Sequence, residues 1–304
     1  MKTDIENWVR VLAGGDSVES TAELAGALSE LGLEFRQNEG LIKLSEPIEL
    51  LNPEIIMRHL SSEPRLEIHW TIDSTNGYLM RTKPEMGSVT VCLAEQQQAG
   101  RGRRGKTWVS PFGKNIYLSV GKIFNKPVAD LGGLSLVAGT QVVKTLHACG
   151  LQDAGLKWPN DIILGKGKLA GILVELGAPT DNCVFAVVGV GVNFALQEKD
   201  SREIDQPWSA VGQYSSVSRN EMAGRLTENL IKAMERFEIE GFSAFHEEWS
   251  RYNLYAGREV VIHRGPARID GRDGGVNEEG NLLLQTEDGI QVFNAGEVSL
   301  RVRD

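Results

Sequence analysis

The chain has 304 residues, 41% hydrophobic and 24% charged, with a formal net charge of −9. That length holds two or three domains with real cores, and the acidic balance excludes a protein that binds nucleic acid over its whole surface. Three cysteines without a CxxC pair, an N-terminus without an apolar run and the absence of any bilayer-length apolar stretch lead us to expect a cytoplasmic protein with reduced thiols.

Residues 1–50 read as a small first unit. Ile5, Val9 and Leu12 have helical spacing that stops at Gly14-Gly15, and Thr21 is placed to cap a second helix carrying Leu24, Ala25, Leu28 and Leu31. Leu33–Phe35 and Leu41–Leu44 flank the turn-like 37–40 and predict a hairpin. The pattern is winged-helix-like but one helix short, the missing one being the helix that would enter a DNA groove. The unit carries four basic against ten acidic residues, a net of −6, which opposes a polyphosphate. Residues 51–66 form a linker in which Asn52-Pro53 starts a short helix to Leu60.

Residues 67–250 alternate strands and helices. Predicted strands are Glu67–Ile72, Ser88–Glu95, Asn115–Val120, Leu156–Trp158, Asp161–Leu164, Leu169–Leu176 and Cys183–Val192; predicted helices are Thr75–Arg81, Leu131–Cys149 and Arg219–Trp249. Val89, Val91 and Leu93 alternate, so one side of the sheet is expected to be buried. The fold class is therefore α+β, a mixed sheet with helices on one side. Residues 255–304 are short strands separated by glycines, an SH3-like β-barrel.

Within the middle unit, residues 96–129 hold Arg101, Arg103, Arg104, Lys106, Lys114, Lys122 and Lys126 and no acid. A positive island on an acidic chain, threaded with Gly100, Gly102 and Gly105, predicts a flexible flap that closes on an anion. GRGRRG matches a dinucleotide fingerprint only as a string, because no helix follows and no acid lies about 20 residues on. A single copy is not an Arg/Gly nucleic-acid tether. In Lys157-Trp158-Pro159-Asn160-Asp161 the proline forces a kink that presents Asn160 and Asp161 at a strand end. Lys168 then opens the strand LAGILVEL, in which Gly171 leaves room for something flat. Asp73-Ser74-Thr75-Asn76 ends the first strand, where it can both cap a helix and meet a ligand. The five histidines have no metal-ligand spacing, and no HExxH, GxSxG or Walker loop is present.

Asp73–Asn76, Gln96-Gln97-Gln98-Ala99 with GRGRRG, Lys157–Asp161 and KLAGILVE at 168–175 occur in one order over about 100 residues. Together they resemble biotin–protein ligase, more closely its bifunctional ligase/repressor type. With 189–193 and Arg301 the likeness covers 67–304, and the first unit resembles that family's DNA-binding domain without its recognition helix. The resemblance implies a class II synthetase-like sheet and ATP-dependent formation of biotinyl-5′-adenylate with Mg²⁺. Biotin then passes to a lysine of the biotin carboxyl carrier protein of acetyl-CoA carboxylase. Lys168, Arg103 and Asp161 are the implied catalytic residues. Biotin falls to Ser74, Thr75, Asn76, Gln97, Arg101, Gly102, Arg103, Lys168 and Gly171. The nucleotide falls to Arg103, Arg104, Lys106, Trp108, Asn160, Lys168, Asn193 and Arg301. The alternatives are a biotin-operon repressor acting through residues 1–50 and a lipoate or octanoate ligase; a homodimer along a sheet edge is left open.

Overall fold

The computed structural model describes every residue except 1, 83–84, 180–181, 266, 297–298 and 303–304. In the first unit, α1 (Lys2–Ala13) stops at the glycine pair, with Gly15 at φ 95°. β1 (Val18–Glu19) was not predicted, since two residues are too few to show alternation. Thr21 caps α2 (Ala22–Glu30), its Oγ1 accepting the Leu24 N–H at 3.1 Å. β2 (Phe35–Asn38) and β3 (Leu41–Leu44) form a hairpin where one was expected, but its first strand starts at Phe35 rather than Leu33 and takes in Gln37 and Asn38, leaving Glu39-Gly40 as the turn; β1 adds to β3 to give a three-stranded sheet. Only residues 31–34 separate α2 from β2, and they hold no helix. Val9, Leu12, Leu24, Leu28 and Ile42 pack into a core that also takes Phe112 from far along the chain and the partly buried Trp70.

α3 (Pro53–Met57) is shorter than predicted; the Asn52 side chain accepts from the Glu54 N–H at 2.9 Å. The main sheet comprises β4 (Arg65–Ile72), β5 (Val89–Gln97), β6 (Asn115–Phe124), β7 (Gly155–Lys157), β8 (Asp161–Leu164), β9 (Gly167–Leu176) and β10 (Val184–Asn193). Its order is β4-β5-β6-β10-β9-β8-β7, with β4 and β5 parallel and the remaining pairs antiparallel. The sheet is mixed, as expected.

Its cover departs from the prediction. Val91, Leu93, Leu118, Val120, Val188 and Val190 pack under α5 (Leu134–Ala148) and α6 (Arg219–Glu240). The opposite face is buried too: Cys92 and Val187 pack beneath Leu79 of α4 (Thr75–Thr82). Helices therefore lie on both sides, because short α4 covers one end of the second face. Alternation in β5 misled, since Cys92 and Ala94 are as buried as Val91 and Leu93. The predicted helix over 219–249 is two. Gly241, at φ 71°, ends α6, and α7 (Ser243–Tyr252) starts anew. α5 begins three residues late because Gly133 sits at φ 80°.

β11 (Glu259–Arg264), β12 (Ala267–Val276), β13 (Leu282–Thr286), β14 (Gly289–Phe293) and β15 (Ser299–Val302) form an antiparallel sheet ordered β14-β13-β12-β11-β15. Val260, Ile262, Leu282, Leu284 and Leu300 join the core of the main sheet, and the Trp158 indole donates to the Gly280 carbonyl at 3.2 Å. A buried ion pair fastens the bridge segment to the body. Arg219 reaches Glu95 at 2.7 Å and donates to the carbonyls of Glu49 and Asn115, while the other Glu95 oxygen accepts the Leu51 N–H. No helix among the described residues is long and apolar enough to cross a membrane.

Candidate active site

The part of the second sheet face that α4 leaves uncovered is a cavity of about 220 Å³. Its roof is the loop between β5 and β6. There Arg101 bridges Thr107, the Gly102 N–H donates to the Lys106 carbonyl at 2.7 Å, and Arg104 and Gly105 turn the chain at φ 57° and 73°. The Trp108 N–H then returns to the Gly100 carbonyl at 2.9 Å. Gly100 is required, because a Cβ there would overlap the Trp108 carbonyl and the Ser110 hydroxyl.

Trp108 lies across the sheet floor. Gly171 and Gly191 are register partners on β9 and β10, and the indole rests over both. The flat object that Gly171 makes room for is this ring. The indole Nε1 is buried with no partner.

The kinked turn supplies the end wall. Trp158–Pro159 is a cis peptide. Asn160 is fixed by two bonds to the Ile172 backbone, both 2.9 Å. Arg103 donates to Asn160 Oδ1 at 2.9 Å and to the carbonyl of Ala295, so the turn that follows β14 helps hold the roof. Burial, against the pull of Asp161, lowers the pKa of Arg103. A register shift between Ile162 and Ile163 offsets Lys168 along β9, where its Nζ meets Asp161 Oδ1 at 2.6 Å and stands 5.4 Å from the Trp108 ring centre.

The other wall is the 74–76 turn and the end of β5. The Ser74 Oγ accepts the Gly77 N–H at 3.3 Å and so caps α4, while Ser74, Thr75 and Asn76 all line the cavity. Gln97 Oε1 accepts from the Thr75 N–H at 2.9 Å and stands 3.1 Å from its hydroxyl. Buried Ser119 donates to Thr75 Oγ1 or Asn76 Oδ1, at 2.8 and 2.6 Å. Gly189 is bare because a Cβ there would overlap Asn76. Asp73 turns away to a fork with Arg81 at 2.8 and 2.9 Å.

Arg101, Gly102, Arg103, Arg104, Lys106, Trp108, Asn160, Asp161, Lys168, Gly171 and Arg301 all line this one cavity. Asn193 does not; its amide donates to the Lys168 carbonyl at 3.2 Å and borders a side cavity of about 70 Å³ with Lys106, Trp108 and Trp208. The cationic island also needs correction, since acids remote in sequence reach part of it. Lys114 pairs with Glu46 and Lys122 with Glu238, at 3.3 and 2.9 Å, and Lys126 lies over the Phe237 ring. Only Arg101, Arg103, Arg104 and Lys106 of the seven face the cavity.

Sequence reasoning assigned no role to Lys157, although its motif was singled out. Burial lowers its ammonium pKa, Asp161 opposes that, and Arg301, Lys168 and Lys106 add to it. With Arg101, Arg103, Arg104, Lys106, Lys168 and Arg301 it gives the lining seven basic side chains against one carboxylate, Asp161. That balance suits a polyanion. Glu175 and Ser119, which join the 74–76 wall through Asn76, carried no local signal. Among the described residues no group of three or more His, Cys, Asp or Glu could hold a metal ion.

Residues 68–193 match the Biotin/lipoate A/B protein ligase family, and 256–301 match the Biotin protein ligase C terminal domain. The bifunctional ligase/repressor BirA of Escherichia coli is 38% identical over 259 residues, covering 85% of this chain and 80% of that protein. The biotin–[acetyl-CoA-carboxylase] ligase of Paracoccus denitrificans is 30% identical, covering 74% of this chain and 96% of that one. Among solved structures, the biotin protein ligase from Aquifex aeolicus in complex with biotin and ATP superposes with a TM-score of 0.66 at 28% identity, over 79% of this chain and 99% of that chain.

Proposed function

The chain belongs to the biotin protein ligase family, and from that membership we propose how its own residues divide the work. It is a biotin–protein ligase: biotin and ATP give biotinyl-5′-adenylate and pyrophosphate, and a lysine amine of a biotin carboxyl carrier protein then takes the biotinyl group as an amide, with AMP leaving. Acetyl-CoA carboxylase is the acceptor enzyme in this reading, as the name of the Paracoccus relative suggests.

Biotin lies beside the Trp108 indole, its ureido ring hydrogen-bonded by Ser74, Thr75 and Gln97, with Asn76 and Gly102 shaping the slot and Gly171 acting through the indole it seats. A carboxylate attacking an already anionic α-phosphate needs cations aimed at the charge that develops there. Lys168 and Arg103 take that role, supported by Arg101, Arg104, Lys106 and Lys157. The observation that carries the reading is the Lys168–Asp161 pair at 2.6 Å beneath an arginine roof. In it the lysine is poised on a local partner that an incoming phosphate can replace. Trp108 walls the adenylate, Asn160 fixes Arg103, and Asn193 and Arg301 face the adenine side. Mg²⁺ would enter with ATP and offset its phosphate charge, in a lining whose one carboxylate is Asp161.

In the second step the acceptor ammonium, with a pKa near 10.4, costs roughly 4.6 kcal/mol to neutralise at pH 7. Asp161, once Lys168 has turned to the phosphate, is the base placed to take its proton. The roof keeps water from the mixed anhydride. Residues 1–50, in this reading a winged-helix-like unit without a recognition helix, pack on the ligase body rather than on DNA. Their net charge of −6 and a core shared with Phe112 support that role. Residues 255–304 form an SH3-like domain whose Ala295 carbonyl braces Arg103. Biotin-dependent exchange of pyrophosphate into ATP tests the whole reading; exchange with lipoate and none with biotin would overturn it.

A further inference from the structure

A closed path of hydrogen bonds runs from the first arginine of the roof, through the floor of the cavity, to the roof's far end. Arg101 grips Glu175 with both guanidinium nitrogens at 3.1 Å. Glu175 Oε2 also accepts from Asn76 Nδ2 at 2.9 Å, which fixes the amide so that its oxygen faces Ser119. With Ser119 donating to Asn76 Oδ1, the Thr75 hydroxyl donates to Ser119, and the Thr75 N–H carries the path to Gln97 Oε1 at 2.9 Å; Gln97 Nε2 donates to Ser110 Oγ at 3.2 Å. Ser110 in turn donates to the Trp108 carbonyl at 2.7 Å. Asn76, Thr75, Ser119 and Ser110 are all buried.

Glu175 is the link that does two things at once. It stands on β9, opposite Val187 of β10, and belongs to neither the roof nor the helix. A neutral acceptor there would satisfy Asn76 equally well. Arg101 needs both oxygens and the charge, because a guanidinium fork matches a carboxylate. We propose that Glu175 is a positioning residue that latches the roof, through Arg101, to the floor that holds the acid substrate. The latch keeps the activated acid enclosed until transfer. This inference rests on the adenylate-forming reading above and names the residue that controls escape from that site.

The test uses the full chain with biotin, Mg-ATP and a biotin carboxyl carrier domain. Two quantities are read: the rate at which preformed adenylate leaves the protein, and the pyrophosphate released per biotin transferred. Glu175→Gln keeps the Asn76 acceptor and loses the fork. It is expected to bind biotin within about twofold of the parent and to release adenylate about tenfold faster, as loss of a charge-assisted bond dictates. Pyrophosphate per transfer then rises above one. Arg101→Gln, which also removes a cation of the lining, should release adenylate at least as fast, and the double variant should release it no faster than Arg101→Gln alone, since Glu175 acts only through that contact. Adenylate release at the parental rate in Glu175→Gln, or effects that multiply in the double variant, would overturn the latch. If Glu175→Gln does not fold, Arg101→Gln, changed at a half-exposed side chain, decides alone: unchanged release refutes the latch. Parent protein that forms no adenylate refutes the underlying reading instead.

Discussion

Gly191 lies directly beneath the Trp108 indole, and a Cβ built on it would overlap the ring. Gly191→Ala should therefore destabilise the fold by about 1–3 kcal/mol through overpacking. Adenylate affinity should fall with it, because the roof cannot seat. Adding Trp108→Ala should recover most of the stability, without the affinity. Denaturant unfolding of the single and double variants measures both halves; an undisturbed Gly191→Ala means that the ring has somewhere else to go.

Lys168→Ala removes the cation closest to Asp161 and leaves that carboxylate without its 2.6 Å partner. Biotin-dependent pyrophosphate exchange should drop by about 10²–10³. Transfer from chemically made biotinyl-adenylate should fall much less, since the first step is then bypassed. Equal losses in the two assays would remove Lys168 from adenylation.

Lys157 gives the site a pH dependence. Its ammonium has a pKa below the ordinary 10.5, and a bound phosphate would raise it again. Nucleotide binding thus takes up a proton, and affinity should fall as the pH rises through that lowered pKa. Lys157→Arg, charged throughout, should flatten the fall. Stability of the empty protein runs the other way. The unfolded chain holds this proton more tightly, so stability should rise with pH between the lowered pKa and 10.5. Calorimetric titrations and melts across alkaline pH check the two signs.

Glu95 and Arg219 are 3% and 1% exposed, so each is costly without the other. Glu95→Ala should cost about 3–5 kcal/mol. It also frees the Leu51 N–H, so hydrogen exchange around residues 49–52 should quicken first. A loss confined to surface-pair size would show that water replaces the carboxylate.

The first unit should not retard a DNA duplex in a gel at moderate salt, since its acidic surface offers few cations to phosphates. Tight binding that weakens steeply with salt would reverse this assignment and restore the repressor alternative.

Local chemistry was legible in the sequence because each motif is short and made of residues with few other uses. Ser74–Asn76, GRGRRG, Lys157–Asp161 and Lys168–Gly171 converge on one cavity as those strings suggest. Pairings across the fold were not legible. Nothing near Lys114 announces Glu46, and Arg101 lies 74 positions from Glu175. The one-sided sheet failed for a related reason: α4 covers a face filled by Cys92, Phe185 and Val187, from strands apolar on both sides, where its cover leaves no periodic mark. The break at Gly241 was present in the letters, yet helical spacing on both sides masked it.

The hydrophobic interior of the first unit is completed by Phe112 and Trp70, whose ring centres stand 4.8 Å apart and which both come from the ligase body. Trimming the chain near residue 64 to obtain the enzyme alone would strip this aromatic ledge bare. The shortened protein would then self-associate until those two rings were exchanged for polar groups.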